Sequence, residues 1–183
     1  IQNGDYKKLL EEAENSPIGS KNLFFLPYLT GERTPHSDPF AKGCFIGLSA
    51  VHTKGDMTRA VIEGISFALY DSYSLIDGLQ PEIIRIIGGG AKAELTRKIL
   101  TDIFNIKSEV LAIQEGPSYG AAILAMFGVE NEKNMNEKLK EIIKVTDTLA
   151  PNLENHKEYI KRYKVYTKLY AALKPEFLEI SKL

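Results

Sequence analysis

Residues 85–95, RIIGGGAKAEL, place three consecutive glycines between a β-branched run and the start of an apolar-periodic segment. Glycine brings no side chain to packing and loses the most backbone freedom on folding. Gly88, Gly89 and Gly90 in a row therefore point to a backbone that something must approach closely. A helix that begins just after a strand presents unpaired N–H groups and the positive end of its dipole. Glycine at that junction lets an anion reach those donors without meeting a Cβ. The chemistry predicted is a backbone contact to phosphate or nucleotide; a tight strand-to-helix turn with no ligand is the alternative.

Two nucleotide arrangements fit. Gly88, Gly90 and Ala93 match the G-x-G-x-x-A of a dinucleotide-binding turn, and Glu115 near the end of the next strand could meet a ribose. The other is the actin-like ATPase arrangement, in which a strand ending in Gly-Gly rests against adenosine and phosphates. A phosphate loop of the G-x-x-x-x-G-K-[ST] type occurs nowhere in the chain.

Other reactive side chains are scattered. Glu32, Arg33 and His36 share the segment GERTPH, where Glu32 and Arg33 could staple the loop internally. His36 and His52 lack metal-ligand spacing, so no metal site is expected. Glu63, inside a long helical pattern, reads as a buried hydrogen-bonding residue. Cys44 lacks the basic surroundings of a reactive thiol and reads as core. Tyr159, Tyr163, Tyr166 and Tyr170 recur at helical spacing and read as a packing surface; base stacking would need a basic groove.

The elements that must position these groups follow from periodicity. Residues 6–14 read as a helix, 22–26 and 44–48 as strands, and 29–43 as a long irregular loop of the kind that is usually functional. Thr53 and Asp56 have capping-box spacing at the start of a helix near 55–76, ended by Gly78. Residues 83–87 form a short apolar run suited to a strand buried on both faces. A helix over 91–104 and a strand over 109–113 complete a βαβ unit with a parallel pair. An apolar helix over 121–127 follows, and residues 131–183 read as a helical tail with segments near 134–145 and 155–173. The fold class is α/β: a short sheet with a βαβ unit, flanking helices and a helical C-terminal tail.

Composition narrows the partners. The chain has 183 residues, 23 Lys plus Arg against 24 Asp plus Glu, and a net charge of -1, which predicts no nucleic-acid or anionic-membrane footprint. No apolar run reaches the roughly 18 residues of a membrane span, and no signal peptide is evident. A single cysteine suits a cytoplasmic setting. The chain opens with Ile1 and is expected to be a piece of a longer polypeptide.

The wider sequence resembles one family. LPYLTGERTPHSDPFAKGCFIGLS (26–49), RAVIEGISFAL (59–69), IIGGGAKAELTRKILTDI (86–103) and GPSYGAAILAM (116–126) are similar, in order and spacing, to the C-terminal lobe of the FGGY carbohydrate kinases. Residues 43–63 match that family's downstream signature, ending in Asp56-Met57 and Ala60-Val61-Ile62-Glu63. GERTPH followed by DPFAKG is most similar to the xylulokinase branch. The resemblance covers roughly residues 22–177. It implies one partial domain over 1–183, with 22–130 as α/β core, of actin-like (ribonuclease H-like) ATPase fold.

What the resemblance implies functionally is ATP-dependent phosphorylation of a sugar, xylulose first, with Mg2+ carried by the nucleotide. The alternatives are another sugar or polyol of the family (glycerol, ribulose, gluconate) and a non-catalytic actin-like nucleotide-binding or assembly module. Gly88, Gly89, Gly90, Ala91, Lys92 and Glu94 would line or border the nucleotide. Gly116-Pro117 and Gly120-Ala121 would form a turn and helix start beside it. Arg33, instead of stapling its own loop, would help to place a phosphate or hold a closed cleft. Ala93 and Thr96 stand where Ser and Trp are frequent in the family. The N-terminal sugar-binding lobe, with its aspartate base, and the glycine-threonine phosphate hairpin are not matched by any part of this sequence. No catalytic residue is therefore expected within it, and the chain alone is expected to be inactive. Without the neighbouring strands of such a lobe a sheet edge and apolar surface stay open, so a homodimer or a partner contact covering that edge is expected.

Overall fold

In the computed structural model, residues 3–113, 116–130 and 134–183 are described, with side chains described from residue 6 onward apart from Glu130. Glu115, the acid of the dinucleotide alternative, lies outside them. The first unit is built on α2 (Lys54–Ser74), which packs against α1 (Asn3–Glu14) and β1 (Phe24–Leu26). β1 pairs antiparallel with β2 (Cys44–Ile46), Phe25 opposite Phe45.

The capping box forms as the spacing of Thr53 and Asp56 predicts. Thr53 Oγ1 accepts from the Asp56 N–H at 3.2 Å, and the Asp56 carboxylate accepts from the Thr53 N–H at 2.8 Å. Asp56 also accepts from Ser16 Oγ at 2.7 Å and Lys21 Nζ at 2.8 Å, tying the loop after α1 to the head of α2. Burial works against its charge, yet these donors together hold its carboxyl well below the ordinary carboxylate range.

The second unit is a three-stranded sheet of order β3-β4-β5. β3 (Ile83–Ile86) and β4 (Lys107–Leu111) are parallel and joined through α3 (Glu94–Phe104), which is the predicted βαβ unit. Two corrections concern this sheet. β5 (Val145–Leu149) lies within the stretch expected to be wholly helical and pairs antiparallel with β4, Glu109 opposite Thr148. The β-branched Val145, Thr146 and Thr148 suit a pleated strand, and the partner they need is distant in sequence. β3, expected to be buried on both faces, is an edge strand with Ile83 exposed and Ile84 half-buried. With only β4 as neighbour, its apolar run keeps one open side.

Three helices complete the chain: α4 (Gly116–Glu130), α5 (Met135–Ile142) and α6 (Leu153–Ile180). α6 runs on past Pro175 because Phe177 is still buried in the core. Asn152 caps it, its side chain accepting from the Glu154 and Asn155 N–H groups. The tyrosine stripe is packing surface: Tyr159, Tyr166 and Tyr170 are buried against Leu26, Phe67 and Ile103 in one core.

Candidate functional site

Gly88 closes β3 with φ 81° and ψ −164°, a region essentially restricted to glycine. Its carbonyl accepts from the Ala91 N–H at 3.1 Å, and Gly89–Lys92 form a single 3-10 turn before α3. The helix thus starts at Glu94, later than the sequence predicts. At Gly89 φ is not positive, and an added Cβ would meet nothing within 4 Å; at Gly90 it would meet only Thr96 Cγ2, at 3.7 Å. Neither backbone strain nor crowding within the chain requires glycine at 89. The turn presents bare, open backbone.

The other predicted residues divide around this turn. Ala91 buries its methyl and is 1% exposed, anchoring the turn to the core. Lys92 and Glu94 are exposed, and Glu94 is engaged along the helix by Lys98 at 2.7 Å. Gly90 and Thr96 face a mostly apolar cavity of about 400 Å3, whose opposite wall is Tyr6 and Leu10 of α1 with Val61 and Ile65 of α2. Small-molecule pockets span about 300–1,000 Å3. Gly116, the first residue of α4, lies so close to Ile87 that a Cβ would collide with the isoleucine's Cδ1, bringing that helix start beside the glycines. Pro117 and Ala121 are exposed, and a Cβ at Gly120 would meet nothing within 4 Å. Tyr119, on the same helix, donates to the Ile142 carbonyl.

Sequence reasoning missed what holds the turn from below. Arg97 Nη1 donates to the Ala91 carbonyl at 2.7 Å, and its Nη2 reaches Asp147 Oδ2 at 2.9 Å. Arg97 sits inside a helix of mixed charge, and Asp147 belongs to the unforeseen strand; nothing local links them.

The GERTPH loop is a separate construction. Glu32 Oε1 accepts from the Thr34 N–H at 2.9 Å, so the loop is stapled through its backbone and not by a Glu32–Arg33 pair. Arg33 is exposed, makes no ion pair among the described residues, and borders an open cleft with Thr30, Ser37 and Pro39. His36 turns away and stacks on Tyr170, ring centroids 3.6 Å apart. Burial lowers its pKa against the opposing pull of Asp71 and Glu32. This cleft and the cavity beside Gly90 share no lining residue.

Glu63 is held from four sides. Its carboxylate accepts from Arg59 Nε (2.8 Å), the Gly19 N–H (3.0 Å), Ser20 Oγ (3.2 Å) and the Tyr159 hydroxyl (3.2 Å). His52 bonds locally to Ser49. Cys44 is half-buried, and burial raises its thiol pKa away from thiolate chemistry.

The fold around the glycine turn has counterparts of known class. Residues 2–129 match the FGGY family of carbohydrate kinases, C-terminal domain. The chain is 44% identical over 176 residues to a xylulose kinase of Staphylococcus epidermidis, covering 95% of this chain and 36% of that protein. Among solved structures it is similar to a ligand-bound xylulose kinase from Lactobacillus acidophilus (TM-score 0.87, 34% identity) and a gluconate kinase from the same organism (TM-score 0.86, 34% identity). Each comparison covers 95% of this chain and 36% of the solved one. The class is that of the actin-like ATPase fold shared by the FGGY sugar kinases. The chain belongs to the FGGY family of carbohydrate kinases, matching its C-terminal domain and spanning about a third of its relatives' length.

Proposed function

We propose that this chain is the nucleotide-binding portion of a sugar kinase that transfers the γ-phosphoryl group of ATP to a sugar hydroxyl. The observation that carries the reading is Gly89: open backbone at a strand-to-helix junction, with no need for glycine from the chain's own sterics. Gly88, Gly89 and Gly90 form the bare edge along which the ribose and phosphates lie, and Ala91 anchors it. The purine enters the cavity between Gly90, Thr96 and the facing sides of α1 and α2. Lys92 and Glu94 stand at the rim. Mg2+ carried by the nucleotide would supply charge neutralisation of the phosphates.

In the complete enzyme the sugar hydroxyl oxygen bonds to the γ-phosphorus as the bond to the β-γ bridging oxygen breaks. ADP leaves, and the hydroxyl proton passes to a base outside this chain. Such transfer depends on positioning and charge, and none of the residues above is placed to act as base. The chain alone is therefore inactive. D-xylulose, phosphorylated at its 5-hydroxyl, is the leading substrate, since relatives 44% and 34% identical carry the name xylulose kinase. The similarity to a gluconate kinase makes gluconate the second. A cytoplasmic setting suits this reading and the single thiol.

Calorimetric titration with Mg-ATP, and separately with NAD, tests the reading. Mg-ATP binds and NAD does not, and Gly89→Val weakens Mg-ATP at least about tenfold, since a branched side chain occupies the ligand's path. Equal binding by Gly89→Val, or preference for NAD, overturns it. Phosphorylation of xylulose against gluconate by the complete protein decides the sugar.

A further inference from the structure

We infer that Arg97 and Asp147 form a strap that sets the position of the glycine turn, making Arg97 a positioning residue for the nucleotide; this rests on the reading just proposed. The guanidinium uses two different nitrogens on two different elements. Nη1 donates to the Ala91 carbonyl at 2.7 Å and Nη2 to Asp147 Oδ2 at 2.9 Å. The first partner is the last main-chain carbonyl before Lys92 at the end of the turn. The second lies on β5, which is built into the sheet through β4.

The geometry of the strap is specific. The Arg97 side chain is 14% exposed and that of Asp147 43%, so the cation is largely withdrawn from water while its counter-ion stays at the surface. Nε is buried with no hydrogen-bond partner among the described residues. The fork is thus committed to the carbonyl and the carboxylate at the expense of its Nε–H, and leaving a buried donor unpaired is unfavourable. Gly88–Gly90 have no side chains of their own to pack, so the turn's height above the sheet is set at its two ends: by β3 before Gly88, and by the buried methyl and strapped carbonyl of Ala91 after it. Removing the strap leaves the second end to the buried side chains of Ala91 and Ala93, with no tie on the Ala91 carbonyl. Lysine cannot replace Arg97, because one ammonium on a flexible stem does not span the two partners in a fixed plane.

The test uses the complete kinase carrying this sequence, with Arg97→Lys, Arg97→Ala, Asp147→Ala, the double alanine variant, and Gly89→Val as reference. Steady-state KM for ATP rises about 5–20-fold in both Arg97 variants and about 3–5-fold in Asp147→Ala, while KM for the sugar stays within about twofold. The double variant is no worse than Arg97→Ala, because both substitutions remove the same strap. Should Arg97→Ala fail to fold, Arg97→Lys and Asp147→Ala carry the comparison. KM for ATP unchanged in these two, or KM for ATP and for the sugar rising together, overturns the strap. Gly89→Val separates this failure from the deeper one: if it too leaves ATP binding intact, the nucleotide reading itself falls.

Discussion

Glu63 looks like a candidate catalyst by residue type, an acid inside a helix beside a kinase signature, and its surroundings decide against that role. Its carboxylate is 3% exposed and meets four donors, among them the Arg59 guanidinium. Arg59 in turn donates to the Ser16 carbonyl and to the Tyr159 hydroxyl at 2.9 Å each. An acid so engaged has no lone pair facing solvent and no room for a substrate. Its charge neutralises a buried cation, and it joins α2 to the turn at Gly19 and to α6. Removing one partner of such a pair leaves the other charged and unpaired, a loss of about 3–5 kcal/mol. Glu63→Ala is therefore expected to unfold in urea at a much lower midpoint, with Glu63→Gln less affected. A large fall in turnover with the midpoint unmoved would return Glu63 to the chemistry.

At the scale of elements, the GERTPH loop is held as much by α6 as by itself. Tyr170 donates to Asp38 Oδ2 at 2.8 Å, His36 stacks on the Tyr170 ring, and Tyr28 meets both rings edge-on. Ser72 of α2 donates to the Thr34 carbonyl. Burial lowers the His36 pKa from its ordinary 6.5, with Asp71, Glu32 and Asp38 opposing and Lys174 assisting. A histidine whose folded pKa is depressed binds more protons when unfolded, so its contribution is complete above pH 6.5 and is lost as pH falls below it. The urea midpoint should accordingly drop between about pH 7.5 and pH 5.5. His36→Phe, which keeps an aromatic ring on Tyr170, flattens that slope. A slope unchanged in this variant assigns the effect elsewhere. The carboxyls of Asp38 and Asp56, both lowered, act in a more acidic window and leave this one clear.

Elements of this kind differ in how far the sequence reveals them. The head of α2 was legible because Thr53 and Asp56 interact across three residues, and the tyrosine stripe because a helix repeats its face locally. The glycines were legible because three in a row carry a steric meaning whatever the fold. β5 was not, since five residues beginning Val145-Thr146 show a strand only once β4 lies beside them. The far wall of the cavity was not, because Tyr6, Val61 and Thr96 belong to three helices. Arg97 was missed for the same reason: its meaning lies in Asp147, fifty positions away.

For the whole molecule, the dominant physical fact is apolar surface left without cover among the described residues. β3 is a sheet edge with Ile83 exposed and, just past its end, Ile87 exposed too, and α4 carries Leu124 and Val129 in the open at 68% and 87%. α4 is almost entirely apolar, and a helix apolar all round belongs in a core. Ile65 and Leu69 on α2, and Ile76 just past its end, are exposed as well. An unpaired edge offers a ready template for a second strand, and an apolar patch beside it adds the driving force. The isolated chain should therefore associate with a second copy through β3, showing a sedimentation coefficient that rises with concentration. Replacing Ile83 and Ile87 by lysine places charge along that edge and should shift the equilibrium toward monomer. The βαβ core should survive, because neither side chain is buried in it. A monomer at all concentrations before substitution refutes self-pairing at β3; association unaffected by the lysines moves the contact to α4, where Leu124→Lys then becomes the discriminating change.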